Sequence, residues 1–252
     1  MPTDRVQLYD TTLRDGSQME GISLSVEDKV RITRKLDELG LEWVEGGFPG
    51  SNPKDAEYFR RLKDVELRNA KVSAFGGTRK ANSTCETDPN IQSLVAAETP
   101  GVTLVGKASL FQVREILGTS AEENLAMVRD SIAYIASQGR EAFFDAEHFF
   151  DGFFFDPEYA LNVVRAADRA GARRIVLCDT NGGMVTGRLV EAIKAAGKAD
   201  PKAIQAALWN VKVKGINGDI AFIKQGPAGK ESAQNVPAVY LVRIDGGKVV
   251  KN

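Results

Sequence analysis

Short apolar runs alternate with longer amphipathic segments from residue 5 to residue 178. Each run has the length of a buried strand, and each amphipathic segment is long enough for a helix. The pattern predicts six strands, at residues 5–10, 42–48, 71–76, 102–106, 141–146 and 173–178. Strands separated by helices in this way form a parallel sheet with right-handed crossovers. The predicted fold is α/β, with six of the eight units of a β/α barrel.

Helix-capping residues mark the starts of the helices between these strands. Ser120 and Glu123 have the spacing of a capping box, which predicts a long helix to about residue 137. The other predicted starts carry small polar residues or proline, which suit the first helical turn, at Ser25, Asn52–Pro53 and Pro157.

The chain changes character after about residue 184. Residues 1–188 carry 23 basic and 29 acidic side chains, a net charge of −6, whereas residues 189–252 carry 10 and 5, a net charge of +5. The strand–helix alternation also stops. The tail predicts helices at about 187–197 and 201–209, an alternating strand at 211–223 broken by two glycines, a polar loop at 224–235 and a closing hairpin at 239–250.

Composition excludes several classes of function. The net charge of −1 over 252 residues favours neither nucleic acid nor an anionic membrane as a partner. No apolar run reaches the roughly 18 residues that a membrane span needs, and the N-terminus has no apolar signal region. Cys85 and Cys178 form neither a spaced pair nor a metal motif. A reduced, cytoplasmic setting is therefore expected.

Polar side chains follow the predicted strands at the end where parallel α/β folds bind ligands. After the first strand, Asp10 and Asp15 are suited to a hard cation, and Arg14 is suited to a carboxylate or an enolate. The alternative is a solvated turn of caps and ion pairs. The later strand ends add Glu45, Thr78, Arg79, Lys107, Asp145, Glu147, Asp179, Thr180 and Asn181.

Glu147 is the best-placed acid–base candidate on sequence grounds. It stands beside Phe149 and Phe150, so we expect it to be desolvated, which suits proton transfer. The alternative is an ion pair with Arg79 or Lys107. A run of three phenylalanines, Phe153 to Phe155, predicts buried packing or an interface in the same loop.

Four segments resemble a known enzyme family. LYDTTLRDGSQ (8–18) resembles the opening signature of the Claisen-condensing synthases for citramalate, 2-isopropylmalate and homocitrate. VEGGFPGSNPKD (44–55), FFDAEHFFDGF (143–153) and VLCDTNGG (176–183) are most similar to the citramalate synthase branch. This resemblance covers residues 4–184 and implies a TIM barrel. It also implies an acyltransferase that condenses acetyl-CoA with pyruvate, a 2-oxoacid.

The resemblance also implies roles for individual residues. It implies that Arg14 and Glu147 are catalytic, and that Arg14, Gln18 and Thr180 bind the substrate. Asp15 is implied as a ligand of a divalent metal (Mg, Mn or Zn).

The metal site implied by this family is incomplete in the sequence. In the family a His-x-His pair completes the site, but this chain has one histidine, His148, which is expected to be a packed or capping residue. Oxygen ligands from Asp15, Asp10, Glu45 and Asp179 would hold Mg²⁺ or Mn²⁺ weakly. The sequence therefore predicts impaired or absent activity. A second departure is Lys107–Val113, where the family commonly has an aromatic, acidic and histidine-bearing stretch.

The tail resembles a second family. Residues 188–252 are similar to the C-terminal end of a periplasmic branched-chain amino-acid-binding protein. We therefore expect a chimera, natural or engineered, in which residues 1–186 are a partial barrel and residues 187–252 pack into the same domain. The tail strands would cover the open barrel edge, or the edge would support a homodimer. An alternative function is a branched-chain amino-acid-binding module.

Overall fold

Six parallel strands form one sheet in which each strand pairs with the next one along the chain. In this computed structural model, residues 7–184, 191 and 193 are described, together with the backbone of five further strands between residues 212 and 251. The chain divides into two compact units, Met1–Gly183 and Met184–Asn252, and each is described by itself. The sheet belongs to the first unit and curls into a half-barrel.

The predicted strands and most predicted helices are confirmed within a few residues at their ends. The strands of the sheet are β1 (Tyr9–Asp10), β2 (Trp43–Gly47), β3 (Lys71–Gly77), β4 (Gly101–Lys107), β5 (Glu141–Glu147) and β6 (Arg174–Leu177). The helices are α1 (Val26–Glu38), α2 (Pro53–Leu62), α3 (Pro89–Ala96), α4 (Leu110–Glu115), α5 (Ala121–Ser137), α6 (Phe149–Phe155) and α7 (Pro157–Arg169). Residues 5 and 6, with which the first predicted strand began, lie outside the described residues.

The helix starts show which caps operate locally. Ser25 and Asp28 form a complete capping box at α1, and Asn52 accepts from the Asp55 backbone at α2. The predicted capping box at α5 is wrong in one half. Ser120 accepts from the Glu123 backbone, but the Glu123 carboxylate accepts from Arg79 Nη1 at 2.7 Å instead. A charged partner from another element therefore replaces the local bond.

The sequence did not predict α4 or α6. In α6, Phe149, Phe150 and Phe153 are buried, whereas the side chain of Phe155 is 71% exposed. The expectation of buried packing is thus confirmed for Phe153 and wrong for Phe155. The helical turn separates the three consecutive rings, so that they do not share one environment.

A polar layer lies inside the curl of the sheet. The Tyr9 hydroxyl on β1 contacts Glu45 Oε1 at 3.0 Å, Ser73 Oγ at 2.7 Å and Thr103 Oγ1 at 2.5 Å. These three partners come from β2, β3 and β4 in turn. Alternate residues on each strand therefore face the interior, and the residues at the carboxyl ends of the strands lie around its rim.

The second unit is described by its backbone alone. β7 (Lys212–Gly215), β8 (Gly218–Gln225) and β9 (Ser232–Asn235) form an antiparallel sheet, and β10 (Val242–Asp245) pairs antiparallel with β11 (Lys248–Lys251). The closing hairpin is confirmed. The strand predicted at 211–223, broken by two glycines, is two strands: β7 ends at Gly215, β8 begins at Gly218, and the two pair antiparallel. The loop at 224–235 is wrong at both ends, which are strand. The predicted helices at 187–197 and 201–209 lie outside the described residues, apart from residues 191 and 193.

None of the helices in the described part of the chain has both the length and the apolar content needed to cross a membrane.

Candidate active site

Arg14 is held on three sides in the turn that follows β1. Its Nε donates to Glu45 Oε2 at 2.6 Å, and its Nη1 donates to Asp15 Oδ1 at 2.9 Å. The guanidinium carbon lies 4.0 Å from the centre of the Phe75 ring. Leu13 is fully buried and anchors the turn in the core. The side chain of Arg14 is 17% exposed, so part of a fixed cation faces the rim.

Glu45 is the buried counter-ion of Arg14. Burial raises the pKa of its carboxyl, while the charge and hydrogen bond of Arg14 and the hydroxyl of Tyr9 lower it. The side chain has no exposed surface. Glu45 therefore orients Arg14 from below and is not accessible to a ligand.

Asp145 lies in the same interior layer, two residues before Glu147 on β5. Burial is the main cause that raises the pKa of its carboxyl to about 7; the negative charges of Glu45, Asp15 and Glu147 add to this effect and Arg14 opposes it. No described residue donates a hydrogen bond to the Asp145 carboxyl. Because Arg14 and Glu147 both act on Asp145, the two implied catalytic residues share one electrostatic environment.

Glu147 forms an ion pair with Lys107. The two residues face each other in the parallel register of β4 and β5, and Lys107 Nζ lies 2.5 Å from Glu147 Oε2. The alternative ion-pair reading of Glu147 is therefore confirmed, with Lys107 and not Arg79 as the partner. Phe149 and Phe150 pack into the core beyond the strand end, and the Glu147 side chain stays 26% exposed.

A cavity of about 540 Å³ opens beside this ion pair. Its polar wall includes Lys107 and Glu147. The other lining residues are three polar ones, Thr78, Arg79 and Lys80, and six glycine or apolar ones, namely Gly77, Ala81, Val105, Gly106, Leu117 and Met127. Its volume is within the usual range for a small-molecule site.

Thr180 lies three residues after β6 and contacts the residue that follows β5. Its Oγ1 accepts the backbone N–H of His148 at 2.9 Å. His148 follows β5 in a left-handed conformation with φ of 56°, and its Nδ1 lies 3.4 Å from Asp151 Oδ2. The sequence predicted a packed or capping residue at His148. It occupies the N-cap position of α6, one residue past β5, but its side chain makes no cap hydrogen bond and is 13% exposed.

Gln18 lies with Arg14 at a different opening. Both line a cavity of about 310 Å³ that also includes Phe48 and Phe75. Gln18 is exposed. The structure therefore brings Gln18 next to Arg14, but the cavity that they share is not the one that Glu147 lines.

Two strand-end residues have their charges bound by other partners. Arg79 lines the cavity beside Glu147, but its guanidinium donates to Glu123 and Asp130 on α5. Asp10 accepts from the backbone and hydroxyl of Thr12 and so caps its own turn. The expectation that all strand-end polar groups converge is wrong for the charged groups of these two, because each has a nearer partner.

The described residues do not by themselves form the implied divalent metal site. Among them, no three His, Cys, Asp or Glu side chains come together as metal ligands. Asp15 is 64% exposed and pairs with Arg14, and Glu45 is committed to Tyr9 and Arg14. The expectation of an oxygen-only site from Asp15, Asp10, Glu45 and Asp179 is therefore wrong for this part of the chain.

Comparison with protein families gives a match to the HMGL-like family over residues 5–208, which is most of the chain. The chain belongs to the HMGL-like family. Among its relatives, the (R)-citramalate synthase of Aquifex aeolicus is 50% identical over 191 residues, which cover 76% of this chain and 36% of the relative. That of Geobacter sulfurreducens is 51% identical over 193 residues, covering 77% and 37%. The resemblance of the first part to citramalate synthases is confirmed.

The chain spans little more than a third of the length of these HMGL-like relatives. The family match ends at residue 208, inside the segment 188–252 that resembles a periplasmic binding protein. The similarities found give no support to that second resemblance. It and the chimeric origin stay hypotheses, as do the domain boundary at residue 186 and the homodimer.

Solved structures agree with the HMGL-like fold. Hydroxymethylglutaryl-CoA lyase from Pseudomonas aeruginosa superimposes with a TM-score of 0.62 at 21% identity, covering 79% of this chain and 66% of that one. The Bacillus subtilis enzyme gives 0.61 at 17% identity, covering 80% and 67%. At these identities the likeness shows the fold, a TIM-barrel-like α/β arrangement.

Sequence reasoning missed the residues that hold the HMGL-like site in place. The Phe75 ring packs against the Arg14 guanidinium, and the Tyr9 hydroxyl contacts Glu45. The apolar strand patterns around Phe75 and Tyr9 predicted only that these residues are buried. Alternation was the available signal, since Tyr9, Ser73 and Thr103 are polar residues on otherwise apolar strands.

Proposed function

We propose that this chain carries the substrate-facing part of a citramalate-synthase-type acyltransferase, which joins acetyl-CoA to pyruvate. The main support is the position of two charged groups at the carboxyl ends of strands in one parallel sheet. Arg14, fixed by Glu45 and Phe75, follows β1, and the Glu147 carboxylate ends β5 beside a cavity. The identity of about 50% to (R)-citramalate synthases supports this reaction among the family's chemistries.

Each side chain has a role that its contacts allow. Arg14 holds the carboxylate of the 2-oxoacid, for which a guanidinium restrained by Glu45 and Phe75 is pre-organised. The Thr180 hydroxyl accepts a backbone N–H and donates to no described residue, so its hydrogen is proposed to bind a substrate oxygen. Gln18 adds an amide beside Arg14.

Glu147 is proposed as the general base. It removes a proton from the acetyl methyl group, and the resulting carbon nucleophile attacks the keto carbon of pyruvate. The keto oxygen takes up a proton, and hydrolysis of the thioester then releases free CoA and citramalate. The cavity beside Glu147 gives the acetyl end of the co-substrate access to this carboxylate.

A divalent metal bound by Asp15 remains part of the proposal through the resemblance alone. The steps above are assigned to the side chains of this chain and use no metal. The prediction of impaired turnover, drawn from the single histidine, also stays a hypothesis.

The test is pyruvate-dependent release of CoA thiol from acetyl-CoA, with Mn²⁺ or Mg²⁺ added and citramalate identified by mass spectrometry. We expect a slow but measurable reaction that Arg14→Ala abolishes. Arg14→Lys, which keeps the charge and removes the fork, should stay folded and lose most of the activity. Lys35→Met, at an exposed helical ion pair, is the control that should retain it. No citramalate from the folded parent chain would overturn the proposal.

A further inference from the structure

Among the described residues, Lys107 is the one cation that pairs with Glu147, and it lines the same cavity. We infer that Lys107 is a catalytic residue that stabilises the enolate of an acyl-CoA thioester while Glu147 removes the methyl proton. The inference rests on the proposed function and assigns a role to a residue that the resemblance leaves without one.

The sheet fixes the position of Lys107. Its carbonyl accepts from Asn124 Nδ2 at 2.9 Å, and the next residue, Ala108, donates its N–H to the Glu147 carbonyl at 2.9 Å. Asn124 is buried on α5 and also bonds the Tyr159 hydroxyl on α7. The backbones of both members of the ion pair are therefore tied into one rigid frame, which suits a catalytic pair.

The ammonium group has hydrogen-bonding capacity left over. Lys107 Nζ carries three hydrogens, and Glu147 is its single acceptor among the described residues. The Lys107 side chain is only 18% exposed, and the cavity wall around it includes Val105, Leu117 and Met127. A charge that is so little exposed to water acts strongly on charge that develops nearby.

The reaction step that this geometry supports can be written out. The Glu147 carboxylate accepts a proton from the methyl carbon of the acetyl thioester. The electron pair of the broken C–H bond moves into the new C=C bond, and the negative charge moves to the thioester oxygen. Lys107 donates a hydrogen bond to that oxygen, and its positive charge stays next to the forming enolate.

A second lysine–glutamate pair shows what a structural role looks like in this sheet. At the opposite end of the strands, Lys71 Nζ lies 3.0 Å from Glu141, which is also bound by Arg174. Lys71 is half exposed, and the cavity of about 210 Å³ that it lines does not include Glu141. Lys71→Met therefore removes the same charge from a comparable pair and is the matched control.

The first test measures binding without turnover. S-carboxymethyl-CoA places a carboxylate where the enolate would form, and calorimetry compares it with CoA. For Lys107→Met we expect at least tenfold weaker binding of S-carboxymethyl-CoA and less than a twofold change for CoA. Glu147→Gln should not weaken the analogue, because it removes a negative charge. Lys71→Met should match the parent for both ligands.

The second test measures deuterium uptake from solvent into the acetyl-CoA methyl group. Lys107→Met and Glu147→Gln should each slow it about 100-fold with the fold intact by circular dichroism, and Lys107→Arg should restore part of the rate. Unchanged analogue binding and exchange in Lys107→Met would overturn the inference and leave the proposed function standing. A parent chain that binds neither CoA compound would overturn both.

Discussion

Arg14 donates its Nε hydrogen to Glu45 Oε2 at 2.6 Å, although the Glu45 side chain has no exposed surface. Removing the cation therefore leaves a buried carboxylate with the Tyr9 hydroxyl as its remaining partner. We expect Arg14→Ala to lower the free energy of unfolding by about 3 kcal/mol at pH 8. The loss should be smaller at pH 5, because the pKa of Glu45, already raised by burial, rises further without Arg14 and the carboxyl becomes protonated. Urea unfolding at both pH values measures the difference.

The double variant Arg14→Ala with Glu45→Gln isolates the cause of that loss. The amide introduced at position 45 is neutral and needs no counter-ion. At pH 8 the double variant should therefore recover at least half of the stability that Arg14→Ala loses. If the double variant is as unstable as the single one, the loss comes from the packing of Arg14 on Phe75 and not from the buried charge.

The Asp145 carboxyl should make the free energy of unfolding depend on pH. Its pKa is raised to about 7 in the folded chain, so the folded state binds a proton that the unfolded state releases near pH 4. Stability from this group is fully present below about pH 4 and is lost as the pH rises to about 7. Asp145→Asn, which stays neutral, should exceed the parent by about 4 kcal/mol at pH 8 and by much less at pH 4. A gain that does not change with pH would contradict the assigned pKa.

The features that sequence predicted well are local ones. Ser25 and Asn52 cap helices through backbone groups three residues away, and the strands were found from apolar runs of the right length. The α6 helix was missed because a phenylalanine-rich run favours a strand locally, and burial of Phe149 and Phe153 against the core overrides that preference.

The partners of charged residues were less predictable, because they depend on register. Sequence left Glu147 with either Arg79 or Lys107. The parallel register of β4 and β5 places Lys107 directly opposite, while Arg79 reaches Glu123 and Asp130 on α5. Which strand-end groups face the rim was likewise not encoded in their spacing, as Asp10 shows by capping its own turn.

Cys178 should react slowly with iodoacetamide in the folded chain. Burial raises the pKa of its thiol to about 12, with further contributions from Asp145 and Glu147. The smaller thiolate fraction outweighs the greater nucleophilicity of each thiolate, so alkylation at pH 8 should be at least about 30-fold slower than in urea. Peptide mass spectrometry separates Cys178 from Cys85. Asp145→Asn should speed the reaction at Cys178, and equal rates in the folded and unfolded chains would show that the thiol is not desolvated.

The buried ion pair of Lys29 and Asp55 should be a main support of the loop after β2. Lys29 is 2% exposed, its Nζ donates to Asp55 and to the Gly46 carbonyl, and Asp55 in turn accepts the Phe48 N–H at 2.9 Å. Lys29→Met leaves the Asp55 charge without its cation and should cost about 3–5 kcal/mol in urea unfolding. Lys35→Met, at an exposed pair on the same helix, should change stability by less than about 0.5 kcal/mol.

Because the Phe48 ring packs edge-on against Phe75, which supports Arg14, Lys29→Met should also slow CoA release, whereas Lys35→Met should not. Full stability in Lys29→Met would show that water replaces the ammonium group and that the loop does not depend on the pair.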